Sequence, residues 1–214
     1  MCNYLDCRNE IDDKKLQEVA NIIRQGGIVV FPTETVYGIG TNGLDSKAIS
    51  KLYHVKQRPL NKPISLLVSS LEMVKAVTEN ISDIEYKLME AFFPGPLTII
   101  LKKNKAVPNN LTNNTDTVGI RLPDNIIARK LIEYANVPIA TPSANISGKP
   151  SGINIQDIIK DFGDKVDYYI DGGPSKLGIG STIVKIDGNE PIILRKGSIS
   201  EEEINEVVNK YKNI

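Results

Sequence analysis

The chain has 214 residues, of which 24% are charged and 41% hydrophobic, an ordinary composition for a globular protein. This length favours one large domain over two small ones. The 26 basic and 26 acidic side chains cancel, so no global charge draws the chain onto nucleic acid or a membrane. It also lacks a run of about 18 apolar residues, the length that a membrane-spanning helix needs.

Thiols and imidazoles are too few for a structural zinc site. Cys2 and Cys7 lie in the N-terminal tail, and His54 is the only histidine. Structural zinc takes about four such ligands, so a protein-bound zinc ion is not expected. The first residues lack the apolar core of a signal peptide, which makes a cytoplasmic location the default expectation.

The first predicted elements are a helix over residues 12–25 and a strand over 28–31. The strand is apolar throughout and is therefore predicted to be buried on both faces. It ends at Pro32 and delivers a polar loop that contains Thr33, Glu34 and Thr35. Ligands bind at such strand ends in open α/β sheets, but an ordinary threonine-rich surface turn is an equal alternative for this segment alone.

A second helix begins at Asp45 or Ser46 and must end near Arg58, because Pro59 disfavours a helical conformation in the residue before it. Lys56, Arg58 and Lys62 follow one another closely at this end. Cations are favoured there by the helix dipole, and the same cluster also suits a phosphate clamp. Both interpretations stay open from this segment alone.

The remaining elements alternate between strands and helices. Strands are predicted over residues 64–68, 97–101, 117–122, 137–141, 166–170, 183–186 and 192–195, and helices over 71–77, 82–93, 124–134 and 155–162, with a last helix after Ser200. Asp124 is the expected cap of the helix over 124–134, and Ser82 with Glu85 and Ser200 with Glu203 form capping boxes. The alternation predicts a mixed α/β sheet flanked by helices.

Cations, hydroxyls and one amide collect at the predicted element ends. They are Thr33, Thr35, Lys56, Arg58, Lys62, Thr117, Arg121, Thr141, Ser143, Asn145, Ser151, Ser181, Thr182 and Arg195. No G-x-S-x-G, H-E-x-x-H or P-loop motif accompanies them, and the G-x-G-x-x-G at Gly38–Gly43 follows a polar loop instead of a strand. Such a set suits reactions at phosphorus, where a protein positions the reactants and neutralises charge.

Six segments, in this order, resemble the YrdC-like L-threonylcarbamoyladenylate synthases. They are FPTETVYGIG, KQRPLNKP, PGPLTIIL, VGIRLP, TPSANISGKPSG and GIGSTIV. The resemblance covers about residues 12–200 and is strongest to the short form of the family. It implies a twisted, mixed open sheet with a concave ligand-binding surface, in a single domain over residues 1–214 without a further C-terminal domain.

The resemblance implies an enzyme that condenses L-threonine, bicarbonate and ATP to threonylcarbamoyl-AMP and pyrophosphate. The product would pass to a threonylcarbamoyl transferase complex that modifies tRNA. Mg²⁺ is expected to arrive with ATP, because the sequence offers no dedicated carboxylate cage.

Site residues follow from the resemblance position by position. The catalytic pair is Lys56 and Arg58. The ATP-binding residues are Arg58, Lys62, Thr117, Ser143, Asn145, Ser151 and Arg195. The threonine-binding residues are Thr35, Leu67, Arg121, Thr141 and Ser181. Leu67 stands where only a backbone group or an apolar surface could serve.

Two alternatives remain at this point. One is an RNA-binding module with a concave basic surface, or weak RNA binding beside the synthase activity. The other is the carbamoyl-adenylating domain of hydrogenase maturation proteins, which shares this fold but accompanies zinc-finger cysteine pairs that this sequence lacks.

Overall fold

The computed structural model describes residues 2–212, which form ten strands and seven α-helices. The strands are β1 (Tyr4–Asp6), β2 (Val29–Phe31), β3 (Gly38–Asn42), β4 (Leu66–Leu67), β5 (Leu97–Lys102), β6 (Thr117–Arg121), β7 (Ile139–Ala140), β8 (Tyr168–Asp171), β9 (Thr182–Asp187) and β10 (Glu190–Arg195). The helices are α1 (Asp13–Arg24), α2 (Ser46–Lys56), α3 (Leu71–Val77), α4 (Asp83–Phe92), α5 (Ile126–Ala135), α6 (Ile155–Phe162) and α7 (Glu201–Lys212). A short 3₁₀ helix covers Gly163–Lys165.

All ten strands join one sheet in the order β1-β8-β2-β3-β7-β4-β6-β5-β9-β10. Four neighbouring pairs are parallel, including β4 with β6 and β5 with β9. β9 and β10 form an antiparallel hairpin that turns at Gly188. The mixed open α/β sheet predicted from the sequence is therefore confirmed.

The two faces of the sheet are covered differently. Val29 and Phe31 of β2 pack with α1 and α5, whereas Val30 between them packs into the larger core on the opposite face. This confirms that the first predicted strand is buried on both sides. The small cluster under α1 and α5 reaches Leu67 on β4, and its buried residues include none from β6, β5, β9 or β10. The part of this face that β6, β5, β9 and β10 form is not covered by that cluster and can therefore hold a ligand.

Several predicted boundaries shift. Asn125, not Asp124, caps α5, because its side chain accepts a hydrogen bond from the Ala128 amide. The capping box of Ser82 and Glu85 forms as predicted. Two strands were not predicted, β1 because it is short and half polar, and β3 because it is rich in glycine. Since Gly38 and Gly40 lie within β3, they do not form a turn that leads into a helix.

A buried carboxylate ties the N-terminal strand to the loop after β8. Asp171, only 4% exposed, accepts hydrogen bonds from the hydroxyls of Tyr4 (2.5 Å) and Tyr37 (3.2 Å) and from the amide of Gly173 (2.8 Å). The single proton of the Tyr37 hydroxyl is shared between Asp171 and the Gly173 carbonyl, which lies closer at 2.7 Å. This network fixes the chain a few residues before Gly180 and Ser181, which line the cavity described below.

None of the helices in the described part of the chain is long and apolar enough to cross a membrane.

Candidate functional site

A cavity of about 170 Å³ lies on the open half of the sheet face. Its wall combines three guanidinium groups with small hydroxyl and apolar side chains. It is lined by Thr35, Val36, Arg58, Pro63, Ile64, Ser65, Leu67, Thr98, Arg121, Thr141, Pro142, Ser143, Ser151, Gly180, Ser181, Ile183 and Arg195. Nine of the predicted site residues therefore meet around one space: Thr35, Arg58, Leu67, Arg121, Thr141, Ser143, Ser151, Ser181 and Arg195.

One cross-strand row forms the floor of this cavity. Leu67 is paired with Arg121, Thr98 with Ile183, and Ile183 with Arg195. The register of β5 against β6 continues the row from Arg121 to Thr98. Paired residues of neighbouring strands point to the same face, so these side chains all reach the cavity.

A β-bulge directs Arg195 to this face. The register of β9 against β10 shifts between Ile193 and Arg195, so that Arg195 faces Ile183. Without the extra residue, Leu194 would occupy that position and Arg195 would point to the other face, because side chains alternate along a strand. Bulges re-aim side chains in this way next to functional sites.

The hydroxyl of Thr35 has a defined orientation. Thr33 Oγ1 donates to the Val36 carbonyl at 2.6 Å and also lies 2.9 Å from Thr35 Oγ1. Because the Thr33 proton is engaged with Val36, the proton between the two hydroxyls belongs to Thr35. Thr35 Oγ1 therefore keeps its lone pairs for a donor in the cavity. Thr33 itself does not line the cavity and has a structural role.

Thr141 and Ser181 present hydroxyls from other sides. Thr141 Oγ1 donates to the Ile139 carbonyl at 3.0 Å, and Ser181 Oγ lies 2.8 Å from Thr98 Oγ1. Arg195 holds Ser181 by donating to its carbonyl and its hydroxyl. Thr182, another sequence candidate, bonds instead to the backbone of Ile199 and fastens the segment before α7.

Arg121 forms a buried ion pair with Glu34. Arg121 Nη2 lies 2.7 Å from Glu34 Oε1, and the two side chains are 8% and 7% exposed. The angles at these atoms do not satisfy hydrogen-bond geometry, so the contact is an ion pair of two buried charges. The sequence indicated Arg121 but not Glu34, although Glu34 stands between two residues of the threonine-rich loop.

Arg58 and Arg195 carry charges without a carboxylate partner in the described part of the chain. Arg58 donates to the carbonyls of Lys62 and Pro63 at 3.0 and 2.8 Å. Burial lowers the pKa of both guanidiniums, and Arg121 and then Arg58 add to the effect at Arg195. Both guanidiniums line the cavity, where charges without a carboxylate partner in the described residues suit an anionic ligand.

Lys56 does not line the cavity but stabilises the loop that carries Ser143. Its side chain is buried, and its ammonium donates to the carbonyls of Ser143 and Asn145. Ser143 Oγ in turn donates to Asn145 Oδ1, and the Asn145 amide donates to the carbonyls of Ile146 and Lys149. Lys56 and Asn145 therefore shape the loop that presents Ser143, which is the work of positioning residues.

Stability should rise with pH through Lys56. Burial, with a smaller effect of Arg58, lowers the pKa of the ammonium from 10.5 to about 7. Between these values the unfolded chain binds the extra proton, so the free energy of unfolding increases by up to about 1.4 kcal/mol per pH unit, and below pH 7 this dependence vanishes. Urea unfolding at pH 7, 8 and 9 should show this slope for the wild type and not for Lys56→Met. Parallel profiles of the two proteins would contradict it.

Four predicted site residues do not line the cavity: Lys56, Lys62, Thr117 and Asn145. Lys62 is exposed beside Arg58. Thr117 lies on the same face as Arg121, four residues earlier on β6, and Gly119 separates them. A Cβ at Gly119 would come within 2.6 Å of Ser65 Oγ, so glycine keeps the floor clear between Thr117 and the cavity. The predicted contacts of Lys62, Thr117 and Asn145 with ATP remain predictions.

The sequence did not indicate Ser65 and Thr98, which also line the cavity. Both follow or belong to apolar runs, and only the sheet pairing shows which way they point. Within residues 2–212, no cluster of three or more His, Cys, Asp and Glu side chains could hold a metal ion.

Comparison with known proteins gives one matching family model over residues 21–197, Sua5_yciO_yrdC, described as telomere recombination. The threonylcarbamoyl-AMP synthase of Pyrococcus abyssi is 39% identical over 212 residues, covering 99% of this chain and 62% of that protein. The enzyme of the same name from Bacillus subtilis is 35% identical, covering 96% of this chain and 60% of that protein.

Among solved structures, the crystal structure of P. abyssi Sua5 complexed with L-threonine superposes with a TM-score of 0.93 at 40% identity. The match covers 95% of this chain and 60% of that one. This chain thus spans about three fifths of the length of these relatives.

Proposed function

This chain belongs to the Sua5/YciO/YrdC family, and on that premise we propose that it is an L-threonylcarbamoyladenylate synthase. It would join L-threonine, bicarbonate and ATP into threonylcarbamoyl-AMP and pyrophosphate. The observation that carries the proposal is the cavity in which three guanidiniums face small hydroxyls, on a fold whose relative binds L-threonine.

The amino-acid end of the cavity lies at Thr35, Thr141, Arg121, Ser181 and Leu67. The Thr35 hydroxyl, whose proton is directed to Thr33, accepts from the substrate amine. Arg121 faces the substrate carboxylate or the carbamate, as a guanidinium fits a carboxylate oxygen pair. Leu67 supplies an apolar surface for the substrate methyl group.

The nucleotide end lies at Arg58, Arg195, Ser143 and Ser151. Two guanidiniums that have no carboxylate partner among residues 2–212 neutralise the phosphates, and the hydroxyls orient them. The threonine amine takes up bicarbonate to form a carbamate, with loss of water. A carbamate oxygen then attacks the α-phosphorus, and pyrophosphate leaves. The side chains contribute by positioning and by stabilising the developing charge.

Mg²⁺ enters this scheme as part of the MgATP substrate. The cavity is lined by cations and hydroxyls and by no carboxylate of the described residues, and Glu34 beside it is engaged with Arg121, so the wall does not suit a resident divalent cation. The reactive product would be consumed by the tRNA-modifying transferase complex. Weak RNA binding, a single domain and a cytoplasmic location stay predictions.

Product analysis tests the proposal. The purified chain is incubated with MgATP, L-threonine and bicarbonate, and the mixture is analysed by mass spectrometry together with pyrophosphate release. Threonylcarbamoyl-AMP should form only when all three substrates are present. Tight RNA binding without any pyrophosphate release would favour the RNA-binding alternative, and turnover with carbamoyl phosphate in place of threonine would favour the carbamoyl-adenylating one.

Replacing Thr141 by valine should weaken threonine binding selectively. The variant keeps the shape of the side chain but loses the hydroxyl at the amino-acid end, so the KM for threonine should rise about tenfold while the KM for ATP changes little. Thr41→Val is a matched control, since Thr41 is also buried and donates to a carbonyl, that of Gly27, outside the cavity. Equal increases of both KM values would assign Thr141 a structural role.

A further inference from the structure

The three guanidiniums of the cavity differ in their counter-charges. Arg121 is paired with the carboxylate of Glu34 at 2.7 Å. Arg58 and Arg195 donate to carbonyl groups and a hydroxyl, with no carboxylate partner among the residues that the structure describes. The cavity therefore has one end that is nearly neutral and another that is strongly cationic.

Glu34 influences the cavity indirectly, through its contact with Arg121. It does not line the cavity, and both of its carboxylate oxygens are fully buried. Its backbone carbonyl accepts from the amide of Leu177, which anchors the loop across the sheet face. The residues on both sides of Glu34 are buried and bonded, which fixes its backbone, and the contact with Arg121 at 2.7 Å positions its carboxylate.

This charge arrangement matches the charges of the proposed substrates. A free amino acid is a zwitterion, and a guanidinium whose charge is offset by an adjacent carboxylate suits a ligand with no net charge. A polyphosphate carries only negative charge and is repelled by a buried carboxylate nearby. Without Glu34, all three guanidiniums would attract any anion alike.

We infer that Glu34 is a specificity-determining positioning residue, whose buried ion pair with Arg121 makes one end of the cavity selective for a zwitterionic amino acid over a simple carboxylate. This inference rests on the proposed function and adds a residue that acts through Arg121. It also explains why a buried charge is retained at the end of an apolar strand, where an uncompensated carboxylate would be costly.

The test compares L-threonine with 3-hydroxybutanoate, the same molecule without its amino group. Calorimetry without ATP measures the binding of each ligand to the wild type, Glu34→Gln and Glu34→Asp. Steady-state assays give the KM for threonine and for ATP. Glu79→Gln is the matched control, because Glu79 pairs with Lys102 on the surface. Thermal unfolding confirms that each variant is folded.

Glu34→Gln should reduce the preference for threonine over 3-hydroxybutanoate about tenfold or more. The KM for ATP should change less than about twofold, and Glu34→Asp should recover part of the preference. Equal weakening of both ligands, or an unchanged preference, would overturn the inference. A wild type that shows the preference but makes no product would refute only the proposed function, and a wild type that binds no threonine would refute both.

Discussion

Replacing Arg58 by alanine is expected to lower kcat/KM for threonylcarbamoyl-AMP formation by about two to three orders of magnitude. Arg58 lines the nucleotide end and its charge has no carboxylate partner in the described chain, so its charge is available to the phosphates. Losing one such donor at a transition state costs about 3–4 kcal/mol. The measurement is pyrophosphate release with all three substrates present.

Arg24→Ala is the matched control for this variant. Arg24 also donates to two backbone carbonyls, those of Ala135 and Tyr134, but it lies away from the cavity. If both variants keep near-normal activity, Arg58 does not belong to the site. If both lose activity together with stability, the effect of Arg58 is structural, and unfolding midpoints distinguish this case.

Replacing Asp171 by alanine is expected to lower the free energy of unfolding by about 3–5 kcal/mol. The carboxylate accepts from the Tyr4 hydroxyl and the Gly173 amide and shares the proton of the Tyr37 hydroxyl, and hydrogen bonds to a charged group are stronger than neutral ones. The midpoint of thermal unfolding should fall by roughly 6–20 °C for a chain of this size.

Asp6→Ala controls for the loss of a carboxylate on the same edge of the sheet. Asp6 is exposed and bonded to Arg8, so its removal should leave the unfolding midpoint nearly unchanged. A similarly small shift for Asp171→Ala would show that the tyrosine network contributes little. The loop after β8 would then be held mainly by contacts other than those of Asp171.

Local signals in the sequence predict most of the elements well. Helices α3 and α6 have the predicted bounds, and Ser200 and Glu203 bond to each other as a capping box should. Strand β3 was missed because its glycines satisfy a packing requirement that the sequence does not reveal. A Cβ at Gly38 would lie 2.5 Å from a methyl group of Thr141, on a segment distant in the chain.

The site could be predicted only in part. The residues were found by resemblance, but their directions depend on long-range pairing. A register shift places Arg195 in the cavity, and burial makes Lys56 a support for the Ser143 loop. Glu34 was passed over because an isolated carboxylate beside threonines looks like a turn residue, and only the sheet brings Arg121 to it.

The floor of the cavity is a row of side chains from β4, β6, β5, β9 and β10, strands that are scattered along the chain. Contacts between distant segments form late and slowly during folding, because long loops must close first. A ligand therefore finds no site until the sheet is nearly complete. Its binding energy adds to the native state alone, so bound substrate retards unfolding and leaves the rate of folding almost untouched.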